Sequence, residues 1–173
     1  MKKRLILVGG PMGVGKTAAC QLLKKRLPRC AFLDGDWCWD MHPLIVTDET
    51  RAMVMDNIAH LLSGFLACSE LQNIIFCWVM HEKAILDSLL SRLPLDGCAV
   101  TSISLIAPPN VLSARLQRDV EAGLRTPDVI ARSLAYLPKY DALDTIKLDT
   151  GAMDAQQTAR EIARLAGLAL DSE

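Results

Sequence analysis

The sequence predicts an α/β fold in which helices cover both faces of a five-stranded parallel sheet. Short apolar segments alternate with longer segments whose apolar residues recur at helical spacing, which is the pattern of consecutive strand–helix–strand units. One apolar run, at residues 73–79, is unbroken, as expected of a strand that is buried on both faces. A glycine-rich segment at 10–17 directly follows the first apolar run, so we expect it to form the turn between a strand and a helix.

The strands are predicted from short runs that are rich in apolar and β-branched residues. They lie at residues 3–9, 30–33, 73–79, 99–107 and 145–148. Parallel strands that are joined through helices make right-handed crossovers, so the connecting helices fall on both sides of the sheet.

The helices are predicted from apolar residues on one stripe, together with residues that start or stop a helix. Pro94 ends the third helix, Pro109 stands in the first turn of the fourth, where proline is tolerated, and Asp154 caps the last. A polar stretch with a proline connects the second strand to the second helix. The helices lie at residues 17–27, 49–68, 82–93, 109–122, 127–137 and 154–166.

Length and composition favour a single domain over residues 1–173 with a sizeable core. Apolar residues make up 51% of the chain, and the formal net charge is −1. This balance gives no electrostatic reason to expect nucleic acid or an anionic membrane as a partner. No apolar stretch approaches the roughly 20 residues needed to span a bilayer, so we expect no membrane association.

The six cysteines stand at positions 20, 30, 38, 68, 77 and 98, and no pair has the C-x-x-C spacing. Most of them lie inside predicted apolar elements, which favours reduced core thiols in a cytoplasmic protein. The three histidines and six cysteines show no zinc-ligand spacing, so no structural metal is expected.

The segment from Gly10 to Thr17 fits the phosphate-loop pattern of Gly, four residues, Gly-Lys-Ser/Thr. Glycines let the backbone curl so that successive N–H groups point into one concavity, and the helix behind the loop adds its N-terminal partial positive charge. Lys16 is expected to reach the β- and γ-phosphates of a nucleotide, and the Thr17 hydroxyl to ligate Mg²⁺. The predicted nucleotide-binding residues of this segment are Gly10, Pro11, Met12, Gly13, Val14, Gly15, Lys16, Thr17 and Ala18.

Two carboxylates separated by one glycine, Asp34 and Asp36, follow the second predicted strand. Ligands of such sheets bind at the carboxyl ends of the strands, so we expect both carboxylates to face a bound Mg²⁺-nucleotide. One can hold the metal or a metal-bound water, and the other can accept a proton from an attacking hydroxyl. The alternative is an Asp-Gly turn with solvated carboxylates.

The acceptor side of the predicted cleft involves the loops after the second and third strands. Trp37 and Trp39 directly follow the aspartates. Either they stack on a ring or sugar face of an acceptor, or they cover the core beneath the loop. His81 follows the third strand and would point at the same cleft, where it contacts the acceptor or the metal, or else belongs to the start of a helix.

The phosphate loop and the Leu-Asp-Gly-Asp segment at 33–36 together resemble the small P-loop kinases of the gluconate, adenylylsulfate and shikimate kinase group. They are similar also to the nucleoside and nucleotide kinases of that superfamily. The resemblance covers nearly the whole chain in element order and is specific at residues 9–17 and 32–36. It implies a P-loop NTPase-type three-layer sandwich with strand order 2-3-1-4-5. It also implies an ATP-dependent phosphotransferase that uses Mg²⁺ and acts on a hydroxyl of a small molecule.

The resemblance implies separate roles for the two aspartates. In these kinases the second aspartate of the motif typically contacts the acceptor hydroxyl, which makes Asp36 the expected general base. The first aspartate is nearer the metal, which makes Asp34 the expected Mg²⁺ ligand beside Thr17. Asp34, Asp36, Trp37, Trp39 and His81 form the predicted acceptor-binding set.

The resemblance further implies a mobile lid, for which residues 118–132 are the candidate. Such lids bring arginines to the nucleotide phosphates and exclude water, so Arg125 is predicted to be catalytic together with Lys16 and Asp36. Arg115 matches the position from which these kinases place an arginine against the adenine. Alternatively, the arginines of this region are surface groups paired with acids of the same helices. The arginines are Arg115, Arg118, Arg125 and Arg132, and the acids are Asp119, Glu121 and Asp128.

Three hypotheses for the function remain. The first is a kinase for a small-molecule hydroxyl, the second a nucleoside or nucleotide kinase, and the third a nucleotide-binding regulatory or ATPase module. The third strand contains no aspartate, which suits a small kinase better than a mechanical ATPase, and no Asn-Lys-x-Asp guanine motif is present. Gluconate and adenylylsulfate kinases do not carry the Trp-Cys-Trp run of residues 37–39, so their acceptors do not transfer. The expected partners are ATP and a small acceptor, bound by a monomer or homodimer.

Overall fold

A parallel sheet forms the centre of the computed structural model, which describes residues 2–170. Its strands are β1 (Arg4–Gly9), β2 (Cys30–Asp34), β3 (Asn73–Cys77), β4 (Ala99–Ile106) and β5 (Ile146–Asp149). The order across the sheet is β2-β3-β1-β4-β5, and neighbouring strands run parallel. The predicted fold class and strand order are therefore confirmed. The predicted domain, 1–173, includes residue 1 and residues 171–173, which lie outside the described residues.

Each predicted helix is present, with small differences at its ends. The helices are α1 (Lys16–Arg26), α2 (Asp48–Ala67), α3 (Lys83–Leu90), α4 (Pro109–Glu121), α5 (Asp128–Tyr136) and α6 (Ala155–Leu165). Asp154 caps α6 as predicted, because its side chain accepts a hydrogen bond from the backbone N–H of Gln157. The sequence did not predict two 3₁₀ segments, Gly35–Trp39 and Leu137–Ala142.

The alternation of side chains along the central strands divides the core into two layers. Leu5 and Leu7 of β1 pack with α2 and α3 on one face of the sheet. Ile6 and Val8 pack with α1, α4 and α6 on the other face. The same division occurs along β3, where both faces are buried, and it explains why that segment is an unbroken apolar run.

The parallel register brings the carboxyl ends of β1, β2 and β3 to one edge. Val8 of β1 and Asp34 of β2 both pair with Cys77 at the end of β3. The segments that follow these three strands, at residues 10–15, 35–39 and 78–82, therefore meet at this edge of the sheet.

The six cysteines all carry free thiols. Cys20 and Cys77 are buried, whereas Cys68 is exposed at the end of α2, so only part of the predicted core placement is observed. Within residues 2–170, no helix combines the length and the apolar character needed to cross a membrane.

Candidate active site

The glycines of the phosphate loop adopt backbone angles that other residues rarely adopt. Gly13 and Gly15 have φ values of +79° and +102°. A Cβ at Gly13 would also stand 2.5 Å from Cδ2 of Leu116, so α4 lies too close for a side chain there. Gly15 precedes α1 in the left-handed conformation, which turns the chain directly into the helix. The loop therefore has the local geometry that the phosphate-binding pattern requires.

Lys16 begins α1 and folds back over the loop. Its Nζ donates hydrogen bonds to the carbonyl oxygens of Gly10 and Pro11, at 2.8 and 2.9 Å. Burial lowers the pKa of this ammonium group from its ordinary value. The ammonium group of Lys16 thus lies at the loop, where phosphate oxygens could replace the two carbonyl oxygens as its hydrogen-bond acceptors.

Helices α4 and α5 hold the outer side of the same loop. The Ser133 hydroxyl, which is buried, donates to the carbonyl oxygen of Met12 at 2.7 Å. Arg115 donates to the carbonyl oxygen of Val14 at 3.3 Å. These contacts fix the loop at two of its carbonyl groups, and such preorganisation is what a phosphate-binding backbone needs. No sequence pattern indicated this role of Ser133, because its partner Met12 lies far away along the chain.

Asp34 and Thr17 meet beside the loop. The Thr17 hydroxyl donates to Oδ2 of Asp34 at 2.6 Å, and Oδ1 of Asp34 accepts from the backbone N–H of Asp36 at 3.0 Å. Asp34 is 4% exposed, so its carboxylate is held in one orientation. A hydroxyl and a carboxylate are hard oxygen ligands of the kind that Mg²⁺ prefers, and the pair therefore fits the predicted metal site.

Asp36 extends into the cleft from the 3₁₀ segment after β2. Its side chain is exposed to the cleft, yet partial burial by the cleft walls and then the charge of Asp34 raise its pKa, while Lys16 acts in the opposite direction. A Cβ at Gly35 would lie 2.5 Å from Cγ of Trp78, so the indole of Trp78 packs directly on the backbone that carries Asp36.

A cavity of about 470 Å³ lies over the phosphate loop. It brings together seven of the ten residues predicted to bind nucleotide, from the loop and from α4, with Asp36 and two arginines of the candidate lid. Gly10, Pro11 and Val14 are buried beneath the loop and do not line it. The predicted residues that line it are Met12, Gly13, Gly15, Lys16, Thr17, Ala18, Asp36, Arg115, Arg118 and Arg125.

Three of the arginines in and beside the candidate lid, Arg115, Arg125 and Arg132, have different partners; the first two line this cavity. Arg115 donates to the carbonyl oxygen of Thr150 at 2.7 Å and to its hydroxyl at 3.2 Å, and thereby joins the loop after β5 to the phosphate loop. Nε of Arg125 lies 3.1 Å from Oδ2 of Asp119. Arg132 faces Asp128 across 3.7 Å. The pairs of Arg125 and Arg132 are those expected of surface arginines, and they are the contacts that lid closure would have to replace.

A second cavity, of about 620 Å³, adjoins the first. Met12, Asp36, Val79 and Arg125 line both cavities. Trp39 lines the second cavity, whereas Trp37 lines neither of the two. Trp37 is 51% exposed, and its ring meets that of Phe32 edge-on at 5.3 Å. The two tryptophans thus have different surroundings.

His81 lies in the wall of the second cavity, as the sequence predicted for the cleft. Its ring stacks on Tyr136 with 4.0 Å between the ring centroids and 8° between the planes. Nε2 lies 3.3 Å from a carboxylate oxygen of Glu82, and Nδ1 is buried without a hydrogen-bond partner within the described part of the chain. Burial lowers the pKa of His81, so the neutral ring is favoured. Tyr136 and Trp78 also line this cavity, but the sequence offered no pattern that placed Tyr136 there.

The comparisons with known proteins agree with this geometry. The model of the AAA domain family matches residues 6–135, which include the phosphate loop, both aspartates and the candidate lid. In contrast, no curated protein matches the chain in a sequence comparison.

Solved structures with the same fold include kinases. The tunicamycin resistance protein of Deinococcus radiodurans is 25% identical, with 99% of each chain covered and a TM-score of 0.71. A gluconokinase from Sinorhizobium meliloti 1021 is 19% identical, with 96% of this chain and 95% of the other covered and a TM-score of 0.68. The APS kinase of Mycobacterium tuberculosis is 15% identical, with 96% and 98% covered and a TM-score of 0.67. The match covers most of the chain, and we conclude that this protein belongs to the AAA domain family and has the fold of the small P-loop kinases.

Proposed function

We propose that this protein is an ATP-dependent phosphotransferase that moves the γ-phosphoryl group of ATP to a hydroxyl of a small-molecule acceptor. The observation that carries the proposal is the position of Asp36. Its carboxylate lies where the cavity over the phosphate loop joins the second cavity, so one side chain faces both. A general base for phosphoryl transfer has to stand at such a junction between nucleotide and acceptor.

The residues of the loop bind and orient ATP. The backbone N–H groups of the loop and the N-terminus of α1 attract the phosphates, and Lys16 exchanges its carbonyl partners for phosphate oxygens. In the transfer step the acceptor oxygen forms a bond to the γ-phosphorus, and the bond from that phosphorus to the β,γ-bridging oxygen breaks. The electron pair of that bond leaves with ADP, and the hydroxyl proton passes to a carboxylate oxygen of Asp36.

Thr17 and Asp34 are the residues that would hold Mg²⁺. When it is bound, the metal neutralises phosphate charge during transfer. The two side chains are already joined by a hydrogen bond, which fixes both oxygens beside the loop. The buried position of Asp34 leaves the more accessible Asp36 for the acceptor.

Arg125 supplies positive charge at the junction of the cavities. It is half-exposed and paired with Asp119, and it lies in the segment between α4 and α5. An exposed ion pair is weak, about 0–1 kcal/mol, so phosphate can replace Asp119 as the partner of Arg125. Closure of residues 118–132 over the nucleotide would then exclude water from the transfer step.

The names of two similar structures support this proposal. The gluconokinase and the APS kinase are named as kinases, and the APS kinase structure contains both AMPPNP and APS. A nucleoside or nucleotide kinase is a second candidate, because three aromatic rings, Trp39, Trp78 and Tyr136, line the second cavity and could stack on a base. Location in the cytoplasm and a monomeric or homodimeric state remain predictions.

Acceptor-dependent release of ADP tests the proposal. The protein is incubated with ATP, Mg²⁺ and single members of a library of hydroxyl compounds, and ADP is measured with and without each compound. We expect at least one acceptor to raise ADP release well above the rate with water alone. Tight ATP binding with no acceptor-dependent release from any compound would instead indicate a nucleotide-binding regulatory module.

A further inference from the structure

The second cavity, the candidate acceptor site, has more apolar lining residues than a polar substrate needs. It shares Asp36 with the nucleotide cavity, so a molecule that fills it presents its nearest hydroxyl to the transferring phosphoryl group. Its volume of about 620 Å³ is that of a site for a drug-sized molecule.

The walls of this cavity are mostly apolar. Three aromatic rings belong to Trp39, Trp78 and Tyr136, and a run of aliphatic groups includes Leu44 and Val46. Sugars and sugar acids are recognised through many hydrogen bonds, and each hydroxyl that is buried against an apolar wall without a partner costs free energy. An apolar wall of this extent therefore discriminates against polyhydroxylated acceptors.

The charged groups in the wall do not favour an anionic acceptor. Asp36 is itself negative, and the side chain of Arg132 is more than half exposed, so solvent screens its charge whether it faces Asp128 or an acceptor. Arg125 lies at the junction with the nucleotide cavity, where we expect the phosphates of ATP, rather than the acceptor, to bind it. An acceptor carboxylate would bring a further negative charge towards Asp36 and the phosphates of ATP.

The mouth of the cavity has exposed aliphatic side chains. Leu44 and Val46, which line the cavity, are 62% and 51% exposed; Ile45 between them is also exposed but does not line the cavity. They belong to the irregular segment between the 3₁₀ helix and α2. Adjacent exposed apolar groups at the edge of a cavity mark a binding surface, because a ligand with an apolar body removes them from water.

His81 offers the acceptor little polar surface. Nδ1 of His81 is buried and has no hydrogen-bond partner among residues 2–170, Nε2 lies against Glu82, and the ring is stacked on Tyr136. A largely apolar molecule with one reacting hydroxyl therefore matches the cavity.

We infer that the acceptor is an uncharged alcohol whose hydroxyl is carried by a largely apolar body, aromatic or branched aliphatic, and this inference rests on the proposed phosphotransferase function. The transfer step is the one described above, with the alcohol oxygen as nucleophile and ADP as leaving group. Leu44 and Val46 cover the apolar body at the mouth, and Asp36 receives the hydroxyl at the inner end.

The test uses 2-(2-naphthyl)ethanol as an uncharged apolar alcohol, with D-gluconate and uridine as polar comparison compounds. Binding is measured by calorimetry in the presence of a non-hydrolysable ATP analogue and Mg²⁺, and ADP release is measured separately with ATP. The variant L44S/V46S removes two side chains of the cavity mouth. Its matched control is I45S, because Ile45 is exposed in the same segment but does not line the cavity.

We expect the wild-type protein and I45S to bind the naphthyl alcohol equally, and L44S/V46S to bind it about tenfold more weakly. Because all three side chains are exposed, none of these changes should alter the fold. Equal binding by all three proteins, or tighter binding of gluconate or uridine than of the naphthyl alcohol, would overturn the inference.

The ADP measurement separates this inference from the function on which it rests. Release of ADP with gluconate or uridine, but not with the naphthyl alcohol, leaves the phosphotransferase standing and removes the inference alone. Binding of the naphthyl alcohol with no ADP release from any acceptor contradicts the phosphotransferase, and the inference falls with it.

Discussion

The hydroxyl of Thr17 donates a hydrogen bond of 2.6 Å to Oδ2 of Asp34. This contact joins the first turn of α1 to the last residue of β2, and hence joins the two segments on which the resemblance to small kinases rests. It places the two predicted Mg²⁺ ligands side by side. The backbone N–H of Asp36 binds the other oxygen of the same carboxylate, so the metal ligand and the proposed base are held in one network.

The first prediction concerns the metal. Asp34→Asn should raise the Mg²⁺ concentration needed for half-maximal turnover, because an amide lacks the charge of the carboxylate that Mg²⁺ prefers. Turnover is measured across a Mg²⁺ titration, together with the thermal midpoint of unfolding, since Asp34 is buried and hydrogen-bonded. Asp40→Asn is the matched control, because Asp40 is exposed in the neighbouring segment and lines neither cavity. The same Mg²⁺ requirement in both variants would remove Asp34 from the metal site.

The second prediction concerns the base. Asp36→Asn should lower kcat with little change in nucleotide affinity, because the amide cannot accept the hydroxyl proton while Lys16 and the loop amides remain. General base catalysis contributes about 10²–10⁴-fold, and we expect the low end of that range because phosphoryl transfer depends mainly on positioning. An unchanged kcat with greatly weakened binding of ATP and Mg²⁺ would exchange the roles of Asp34 and Asp36.

Local signals in the sequence were sufficient to predict the helices, the strands and a parallel sheet, whereas the strand order followed from the resemblance to the small kinases. The unbroken apolar run at 73–79 indicated a central strand, and the structure buries both faces of that strand. Asp154 was predicted as a helix cap, and its side chain binds the backbone N–H of Gln157. These features depend on neighbouring residues and on the two faces of a strand, both of which a sequence shows directly.

The acceptor side of the site could be predicted only in part. Trp37 and Trp39 stand two residues apart in a 3₁₀ helix, which turns them in different directions, so one ring meets Phe32 and the other lines the cavity. The sequence predicted no regular structure there and could not separate the two rings. Tyr136 reaches the same cavity from α5, and such a contact depends on how distant helices pack.

The third prediction concerns the lid. Residues 118–132 should exchange amide hydrogens more slowly when ATP and an acceptor are bound, because closure orders the segment between α4 and α5. Gly123 marks the turn in this segment with a φ of +71°. Helix α6 is the internal control, since it lies outside this segment and packs mainly on α1. Equal exchange in the lid with and without ligands would make Arg125 and Arg132 static surface groups.

The fourth prediction concerns the backbone beneath Trp78. Gly35→Ala should weaken acceptor binding, because its Cβ would lie 2.5 Å from Cγ of the indole and push the ring into the second cavity. Gly64→Ala is the control: it is exposed in α2 with no atom within 4 Å of the added Cβ, and it should stabilise the fold by about 0.5–1 kcal/mol. Acceptor KM and the free energy of unfolding are measured for both variants. An unaltered KM in Gly35→Ala would show that the ring position does not matter for the acceptor.

The most direct test of the phosphotransferase itself is the turnover of Lys16→Ala, measured with an acceptor that supports ADP release by the wild-type protein. Lys16 lies at the phosphate loop on the carbonyl oxygens of Gly10 and Pro11, and its charge is predicted to stabilise the transferring phosphoryl group. We predict that the variant unfolds at a temperature close to that of the wild type and that its acceptor-dependent ADP release falls by at least about 100-fold. Near-normal release from a folded Lys16→Ala protein would contradict the proposed function.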